Sequence, residues 1–155
     1  MDAAPVGFPS EYTEALKLPY LDACIQEGTR VWPGVSGLLE RVVGAEGLAL
    51  PDGSQLPPGT VVGMNPYVVQ RTEEIFGEDR DSYVPERWLR NEGEDEEDFT
   101  KRSNKMRGSI LSFGAGSRVC LGRRMAMLEV TKTVSTLLKR YEVRKMLDPL
   151  LCTIC

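Results

Sequence analysis

Residues 112–122, with the sequence SFGAGSRVCLG, constrain the fold of this chain more than any other stretch. Three of these eleven residues are glycines, so the backbone can make tight turns that other residues resist. Cys120 lies near the end of the stretch, directly before a segment with apolar side chains at helical spacing. A helix N-terminus offers unpaired N–H groups and partial positive charge, which favour a thiolate over a thiol. The pattern therefore predicts a stabilised thiolate at Cys120.

The residues alone leave two interpretations of Cys120 open. An isolated cysteine near apolar positions is commonly a small buried residue, and here it would begin a core helix. A thiolate that ligates iron instead needs N–H groups aimed at the sulfur and a backbone that approaches a flat macrocycle closely. Gly114 and Gly116 suit such a loop, and Gly122 would let the following helix pass close to the ring.

Two further side chains of the same stretch suit a haem site. Arg118 is two residues before the cysteine, where its guanidinium could reach a carboxylate at the edge of a porphyrin. Phe113 would shield the sulfur side of the ring from water. Both residues are therefore candidate cofactor-binding residues.

The chain contains no histidine. This excludes histidine-based acid–base catalysis, Ser/His and Cys/His nucleophile pairs, and mixed Cys/His zinc sites, so a metal or cofactor site must use cysteine or carboxylates. The chain lacks a secretory signal, so we expect free thiols at its four cysteines, Cys24, Cys120, Cys152 and Cys155. The terminal CTIC has C-x-x-C spacing, but it lacks a second pair for zinc and the histidine of a covalent haem site.

Charge and hydropathy limit the partners. The net charge of −4 argues against a nucleic-acid-binding protein, because phosphate contacts need a basic surface. No run approaches the roughly 18 consecutive apolar residues of a membrane-spanning helix, and the N-terminus does not resemble a signal peptide. We therefore expect a soluble, cytoplasmic chain without a membrane segment.

Periodicity and turn residues predict a mixed architecture of helix, small sheet, loop and helix. A helix with Ser10 as its N-cap is expected at the start, resuming after Pro19 and ending before Pro33. Residues 37–69 contain short β-branched runs separated by the turn sequences PDG and PPG, which predict strands and hairpins.

The second half of the chain is predicted from the same signals. Residues 71–77 indicate a short helix, residues 84–89 an extended piece, and the acidic residues 92–98 a solvated loop. Residues 123–141 form an amphipathic helix in this prediction. Its apolar face consists of Met127, Leu128, Val130, Val134, Leu137 and Leu138.

The pattern F-G-x-G-x-R-x-C-x-G over residues 113–122 resembles the haem-thiolate loop of the cytochrome P450 superfamily. Two other segments resemble motifs of that family in the same order. EGTR at residues 27–30 is similar to its E-x-x-R motif on helix K, and PERW at residues 85–88 to its later P-E-R-F/W element. The sequences between these motifs resemble filamentous-fungal members.

The resemblance implies roles for further residues. Glu27, Arg30 and Arg87 would form a structural triad beneath the cysteine loop, although Glu27 and Arg30 alone need be no more than a surface pair. Arg41 falls where many relatives supply a second partner for a haem propionate. Gln70 and Thr72 stand where relatives often have His and Asp, which leaves the contacts of Gln70 open.

The resemblance also implies the fold and the extent of the unit. We expect an α+β, mostly helical chain that is a partial cytochrome P450 fold: helix K, a small β-sheet, the meander, the cysteine loop and helix L. Residues 1–155 would be a single partial domain, the C-terminal, haem-ligating third of a family member. The central helix that delivers protons, and the membrane anchor by which full-length relatives are usually held at the endoplasmic reticulum, fall outside the resemblance.

The implied function is that of a monooxygenase that inserts one oxygen atom from O₂ into a small apolar organic substrate. Its cofactor would be haem b, with Cys120 as the axial ligand of the iron. Electrons would come from an NADPH-dependent flavoprotein reductase docking on the cysteine side, with candidate contacts at Lys101, Arg102, Lys105, Arg107, Arg123 and Arg124. The alternatives are an inactive, truncated remnant and a haem-binding protein without oxygenase turnover.

Overall fold

The computed structural model describes residues 10–142, so Cys152 and Cys155 lie outside the described residues. The helices are α1 (Tyr12–Ala15), α2 (Pro19–Val31), α3 (Pro66–Val69), α4 (Glu73–Phe76), α5 (Glu96–Gly108) and α6 (Arg123–Arg140). The strands are β1 (Leu39–Val42), β2 (Leu48–Ala49), β3 (Gln55–Leu56) and β4 (Val61–Met64). Short 3₁₀-helices occupy Pro85–Trp88 and Gly116–Arg118. The predicted α+β, mostly helical fold is confirmed.

The described strands form two antiparallel pairs. The strands of the second pair, β2 and β3, lie between β1 and β4 in the sequence. β1 pairs with β4, with Leu39 opposite Met64, and β2 pairs with β3. Gly53 and Gly59 in the connecting turns have φ angles of +86° and +82°, which glycine adopts without a steric penalty. The PDG and PPG turns therefore lie where the sequence predicts them, but the prediction of strands is wrong for residues 66–69, where Asn65 caps the short helix α3.

Helix α2 is the central element because it contributes side chains to two apolar clusters. One cluster consists of Ala23, Phe76, Trp88 and Met106. The other consists of Ala15, Leu21 and Ile25, with Met127 and Val134 of α6 packed against it. Pro19 occupies the first turn of α2, where its missing N–H has no intrahelical partner to lose, so the predicted resumption of the helix there is confirmed.

The prediction that Ser10 caps the first helix is wrong. Glu11 holds the N-cap position of α1, without a side-chain hydrogen bond. Ser10 is buried instead, and its backbone N–H donates to Thr136 Oγ1 of α6 at 3.3 Å. A long-range contact thus takes the place of the local cap.

The prediction of a solvated loop over residues 92–98 is wrong in its second half, where α5 begins. Asp95 is the N-cap, and its Oδ1 accepts a hydrogen bond from the N–H of Asp98 at 2.8 Å. The carboxylates of the first turn are favourable there because they face the positive end of the helix. The helix buries only Ser103 and Met106, so its apolar periodicity is too weak to predict it from the sequence.

Residues 84–89, predicted to be extended, instead contain a 3₁₀-helix. Pro85 occupies its first turn, where the fixed φ of proline favours a helical turn. The turn buries Pro85 and Trp88 and packs against α2.

Helix α6 occurs where it is predicted, but its apolar face is only partly covered. Met127 and Val134 pack against the core, and Thr131 is buried. The other predicted face residues remain between 38% and 57% exposed, namely Leu128, Val130, Leu137 and Leu138. Within residues 10–142 no helix combines the length and the apolar character needed to cross a bilayer.

Candidate functional site

The glycine-rich stretch folds into a loop closed by its own backbone. Gly114 N–H donates to the Leu111 carbonyl at 2.8 Å, and Cys120 N–H donates to the Phe113 carbonyl at 2.8 Å. The second bond returns Cys120 to the start of the loop. The left-handed φ angles of Gly114 and Gly116, +70° and +62°, make this return feasible. At Gly114 a Cβ would also lie 3.2 Å from a backbone oxygen of the loop.

Cys120 lies at the end of this loop, immediately before α6. It is a free, exposed cysteine. Gly122 is the N-cap of α6, and a Cβ added there would lie 3.8 Å from the Cys120 sulfur, an ordinary contact distance. The first turn of α6 therefore lies beside the sulfur, as the sequence predicts. Burial as a core residue, the alternative interpretation of Cys120, does not occur in this structure.

Arg41 and Arg118, 77 residues apart in sequence, line one cavity of about 730 Å³. Its other lining residues are Leu39, Glu40, Val42, Val61 and Gly114. Among residues 10–142 neither guanidinium forms an ion pair with a carboxylate, and Arg41 donates only to the Glu40 carbonyl, at 2.6 Å. Cys120 lies outside this lining, two residues along the loop from Arg118. The cavity can therefore accept anionic groups at two points.

A second cavity, of about 430 Å³, shares Leu39 and Arg41 with the first. Its remaining lining is mostly apolar and comes from the two strand pairs and the cysteine loop: Leu48, Leu50, Val62, Gly63, Met64, Leu111 and Ala115. The strand pairs and the loop thus present apolar surface next to the two arginines. Such an arrangement suits a ligand with an apolar body and carboxylates at its edge.

Phe113 is half-buried at the start of the loop. The guanidinium carbon of Arg123, in the first turn of α6, lies 5.9 Å from the centre of its ring. This cation–π distance ties the start of the loop to the start of α6.

The structure brings Glu27, Arg30 and Arg87 together in the interior. Arg30 donates to both carboxylate oxygens of Glu27, each at 2.8 Å, and both side chains are fully buried. Arg87 Nε donates to Glu27 Oε1 at 2.9 Å. The interpretation of Glu27 and Arg30 as a surface pair is therefore wrong, because α2 turns both side chains into the core.

Glu27 receives two further hydrogen bonds that the sequence motifs do not predict. Trp88 Nε1 donates to Oε2 at 2.8 Å, and the Val84 N–H donates to Oε1 at 2.9 Å. Burial acts to raise the pKa of Glu27, but the hydrogen bonds from Arg30, Val84, Trp88 and Arg87 outweigh it and lower the pKa below its ordinary value. The carboxylate is therefore held in its charged form.

Gln70, whose contacts the sequence leaves open, is fully buried. Its amide donates to the carbonyls of Thr29 and Arg30 at 3.1 and 2.8 Å. Its Oε1 accepts from the Leu111 N–H at 2.7 Å and lies 3.0 Å from Ser112 Oγ, whose single hydrogen it shares with the Thr29 carbonyl. Gln70 thus joins the C-terminal end of α2 to the start of the cysteine loop. Its polarity within an otherwise ordinary helical turn gives no sequence signal of this role.

Arg102, predicted as a reductase contact, has an internal role. It donates to both carboxylate oxygens of Glu94 at 2.7 Å, to the Leu89 carbonyl at 2.8 Å and to the Arg87 carbonyl. These bonds clamp α5 onto the 3₁₀-helix that carries Arg87. The hydrogen bond from Arg102, followed by that from the Asn91 N–H, lowers the pKa of Glu94 to about 2.

Three more of the predicted reductase contacts also have partners within the chain. They are Lys101, paired with Glu97 at 2.7 Å; Lys105, which donates to the Glu74 carbonyl at 2.7 Å; and Arg107, paired with Asp22 at 3.5 Å. Arg123 and Arg124 lie at the N-terminus of α6, three and four residues after Cys120.

Comparison with known proteins identifies the family. The family model described as cytochrome P450 matches residues 6–151. Cytochrome P450 monooxygenase cfoH of Aspergillus candidus is 46% identical over 149 residues, which cover 96% of this chain and 28% of that protein. Cytochrome P450 monooxygenase esdpH of Penicillium shearii is 45% identical over 90% of this chain and 26% of its own length. A cytochrome P450 monooxygenase of Aspergillus terreus is 43% identical over 89% of this chain. This chain spans about a quarter of the length of these relatives, and it belongs to the cytochrome P450 family.

Proposed function

We propose that this chain is the haem-ligating portion of a cytochrome P450 monooxygenase, with Cys120 as the thiolate ligand of the haem iron. The observation that carries the proposal is the exposed Cys120 on a closed glycine loop, beside the first turn of α6. Residues 1–155 would be a single partial domain in this proposal, the haem-ligating part of a longer architecture.

The residues around Cys120 fit haem b. Arg41 and Arg118 are free of carboxylate partners among residues 10–142 and line one cavity, so they would bind the propionates of the ring. Gly114, Gly116 and Gly122 have no side chains, which would let a flat macrocycle approach the backbone closely at these positions. Phe113 would pack at the sulfur side.

The remaining parts of the site act by holding these groups in place. Glu27, Arg30 and Arg87 form a buried network, and their proposed role is structural. The N–H groups at the start of α6 would hold negative charge on the sulfur, since they are the positive end of the helix. Bound haem would supply the redox chemistry by which one oxygen atom of O₂ enters a small apolar substrate.

The proposed electron donor is an NADPH-dependent flavoprotein reductase. Arg123 and Arg124 are our candidate contacts for it, because they begin α6 directly after the cysteine loop and an acidic partner surface would complement them. The other proposed contacts are weakened by the internal partners of Lys101, Arg102, Lys105 and Arg107.

A second candidate function is haem binding without turnover by these residues. It is favoured by the apolar side chains that the described fold leaves uncovered, among them Leu121 at 99% and Trp32 at 69% exposure. Turnover with a reductase separates the two functions, since only a monooxygenase couples NADPH consumption to an oxidised product.

The proposal is tested by adding haem to the purified chain and recording the absorption spectrum of the reduced form under carbon monoxide. We expect the red-shifted Soret band of thiolate ligation, lost in Cys120→Ser. Cys24→Ser is the matched control, because Cys24 is also a free cysteine but lies on α2. A thiolate band that persists in Cys120→Ser, or one that is lost equally in Cys24→Ser, overturns the assignment.

A further inference from the structure

Gln70 uses its whole hydrogen-bonding capacity in the interior. A glutamine amide offers two N–H donors and an oxygen with two lone pairs. The two donors are bound by the carbonyls of Thr29 and Arg30, and the oxygen accepts from the Leu111 N–H. Ser112 Oγ has a single hydrogen, which Gln70 Oε1 and the Thr29 carbonyl share. A fully buried side chain that is hydrogen-bonded to both segments fixes the distance between them.

The α2 end of this link consists of carbonyls that have no partner inside the helix. Helix α2 ends at Val31, so the carbonyls of its last turn need donors from elsewhere. Gln70 supplies them to Thr29 and Arg30, and Ser112 Oγ adds a second donor to the Thr29 carbonyl at 2.6 Å. The end of α2 is thus capped by the residues that hold the loop.

The loop end of the link leads directly to the cysteine. Leu111 holds Gly114 N–H through its carbonyl, and the carbonyl of Phe113, next to Ser112, holds Cys120 N–H. The backbone of Gln70 is itself fixed, because Arg30 Nη1 donates to the Gln70 carbonyl at 2.9 Å. Hydrogen bonds and covalent neighbours therefore run continuously from the buried Glu27–Arg30 pair through Gln70 to Cys120.

We propose that Gln70 is a positioning residue for Cys120: its side chain sets the place of the cysteine loop relative to α2, and hence the approach of the sulfur to the iron. The inference deepens the proposed function and rests on it for the role of the iron. The placement of the loop by Gln70 stands on the contacts of the chain alone, so the two can fail separately.

The first test uses the chain without haem. Gln70→Met keeps the length of the side chain but forms none of the hydrogen bonds of the amide. Relative to the unmodified chain, amide hydrogen exchange should accelerate about tenfold more at Gly114 and Cys120 than at amides within α2. A tenfold change corresponds to the loss of about one hydrogen bond of ordinary strength. Met106→Ala is the control, because it destabilises the core cluster while its side chain forms none of the hydrogen bonds that link α2 to the loop. It should speed exchange without favouring the loop.

A second variant covers the case in which Gln70→Met does not fold. Ser112→Ala removes the single hydroxyl that Gln70 Oε1 and the Thr29 carbonyl share, and it leaves the Leu111 bond intact. Exchange at the loop should again accelerate more than exchange within α2, but by less than in Gln70→Met. Equal acceleration at loop and helix amides in the folded variants, or no acceleration at the loop, overturns the positioning role.

The second test adds haem and compares the Soret bands of the reduced, carbon monoxide-bound forms. Gln70→Met should lower the share of the red-shifted thiolate band, whereas Met106→Ala, compared at an equal folded fraction, should keep it. An unchanged share in Gln70→Met contradicts the proposed effect on the sulfur. A missing thiolate band in the unmodified chain would instead contradict the proposed function, and the exchange experiment would still decide the role of Gln70 in the loop.

Discussion

Replacing Glu27 with glutamine should cost this chain a large part of its folding stability. In the structure, Oε1 accepts from Arg30, Arg87 and the Val84 N–H, and Oε2 accepts from Arg30 and Trp88. The amide oxygen of glutamine can take the Oε1 position, but its NH₂ group then faces two donors. Hydrogen bonds to charged groups contribute about 1.5–3 kcal/mol each, so two lost bonds cost about 3–6 kcal/mol.

An independent argument gives the same range. Removing one charge from a buried ion pair costs about 3–5 kcal/mol, because the other charge is left uncompensated. At 1.4 kcal/mol per factor of ten, this raises the unfolding equilibrium constant by about two to three and a half powers of ten. Urea unfolding followed by circular dichroism at neutral pH and room temperature measures the change.

The control for this variant is Glu96→Gln, the same chemical change at an exposed carboxylate. Glu96 pairs with Arg90 at 3.3 Å, and its side chain is 76% exposed. An exposed pair of this kind contributes less than about 1 kcal/mol. Equal losses for Glu27→Gln and Glu96→Gln would refute the argument that the buried network holds α2 to the segment of Arg87.

Two further predictions concern the acid response and the cysteine loop. The pKa of Glu94 is lowered to about 2 from 4.5, so its pairing with Arg102 stabilises the fold fully above about pH 4.5 and progressively less as pH falls towards 2. The stability difference between the unmodified chain and Arg102→Gln, from urea midpoints over this pH range, should therefore shrink on acidification, and a constant difference would contradict the clamp. Gly114→Ala should destabilise the chain by about 1–2 kcal/mol, because φ is +70° and a Cβ would lie 3.2 Å from the Arg118 carbonyl oxygen. Gly28→Ala, in the interior of α2 with no atom within 4 Å of its added Cβ, should instead stabilise by about 0.5–1 kcal/mol in the same assay, and the opposite order would contradict the loop geometry.

The sequence predicts those parts of the fold that local signals specify. Helix α6 follows from its apolar spacing, and the turns at Gly53 and Gly59 follow from the need of glycine at positive φ. The short helix α4 also lies within the predicted residues 71–77. In each case residues that are close together in the sequence decide the conformation, so the sequence alone predicts it.

The parts that the sequence does not predict depend on long-range partners. Helix α5 has few apolar residues, and contacts from Arg102 to the segment of Arg87 hold it in place. Ser10 becomes a partner of α6 rather than a cap. The 3₁₀-helix at Pro85–Trp88 pairs with a carboxylate on α2, which is distant in sequence.

The candidate site likewise has one part that the sequence predicts and one part that it does not. The glycine loop, Cys120 and the start of α6 are contiguous in sequence, and their arrangement follows from glycine conformations and the helix N-terminus. The link through Gln70 joins three segments separated by about forty residues each, and no local pattern indicates it. Only the folded chain reveals that a single amide connects them.

The most direct test of the account is iron K-edge X-ray absorption of the chain after haem is added. The account predicts a sulfur atom in the first coordination shell of the iron, lost in Cys120→Ser and retained in Cys24→Ser. A first shell of nitrogen and oxygen atoms alone in the unmodified chain would contradict the claim that the loop presents Cys120 to the iron.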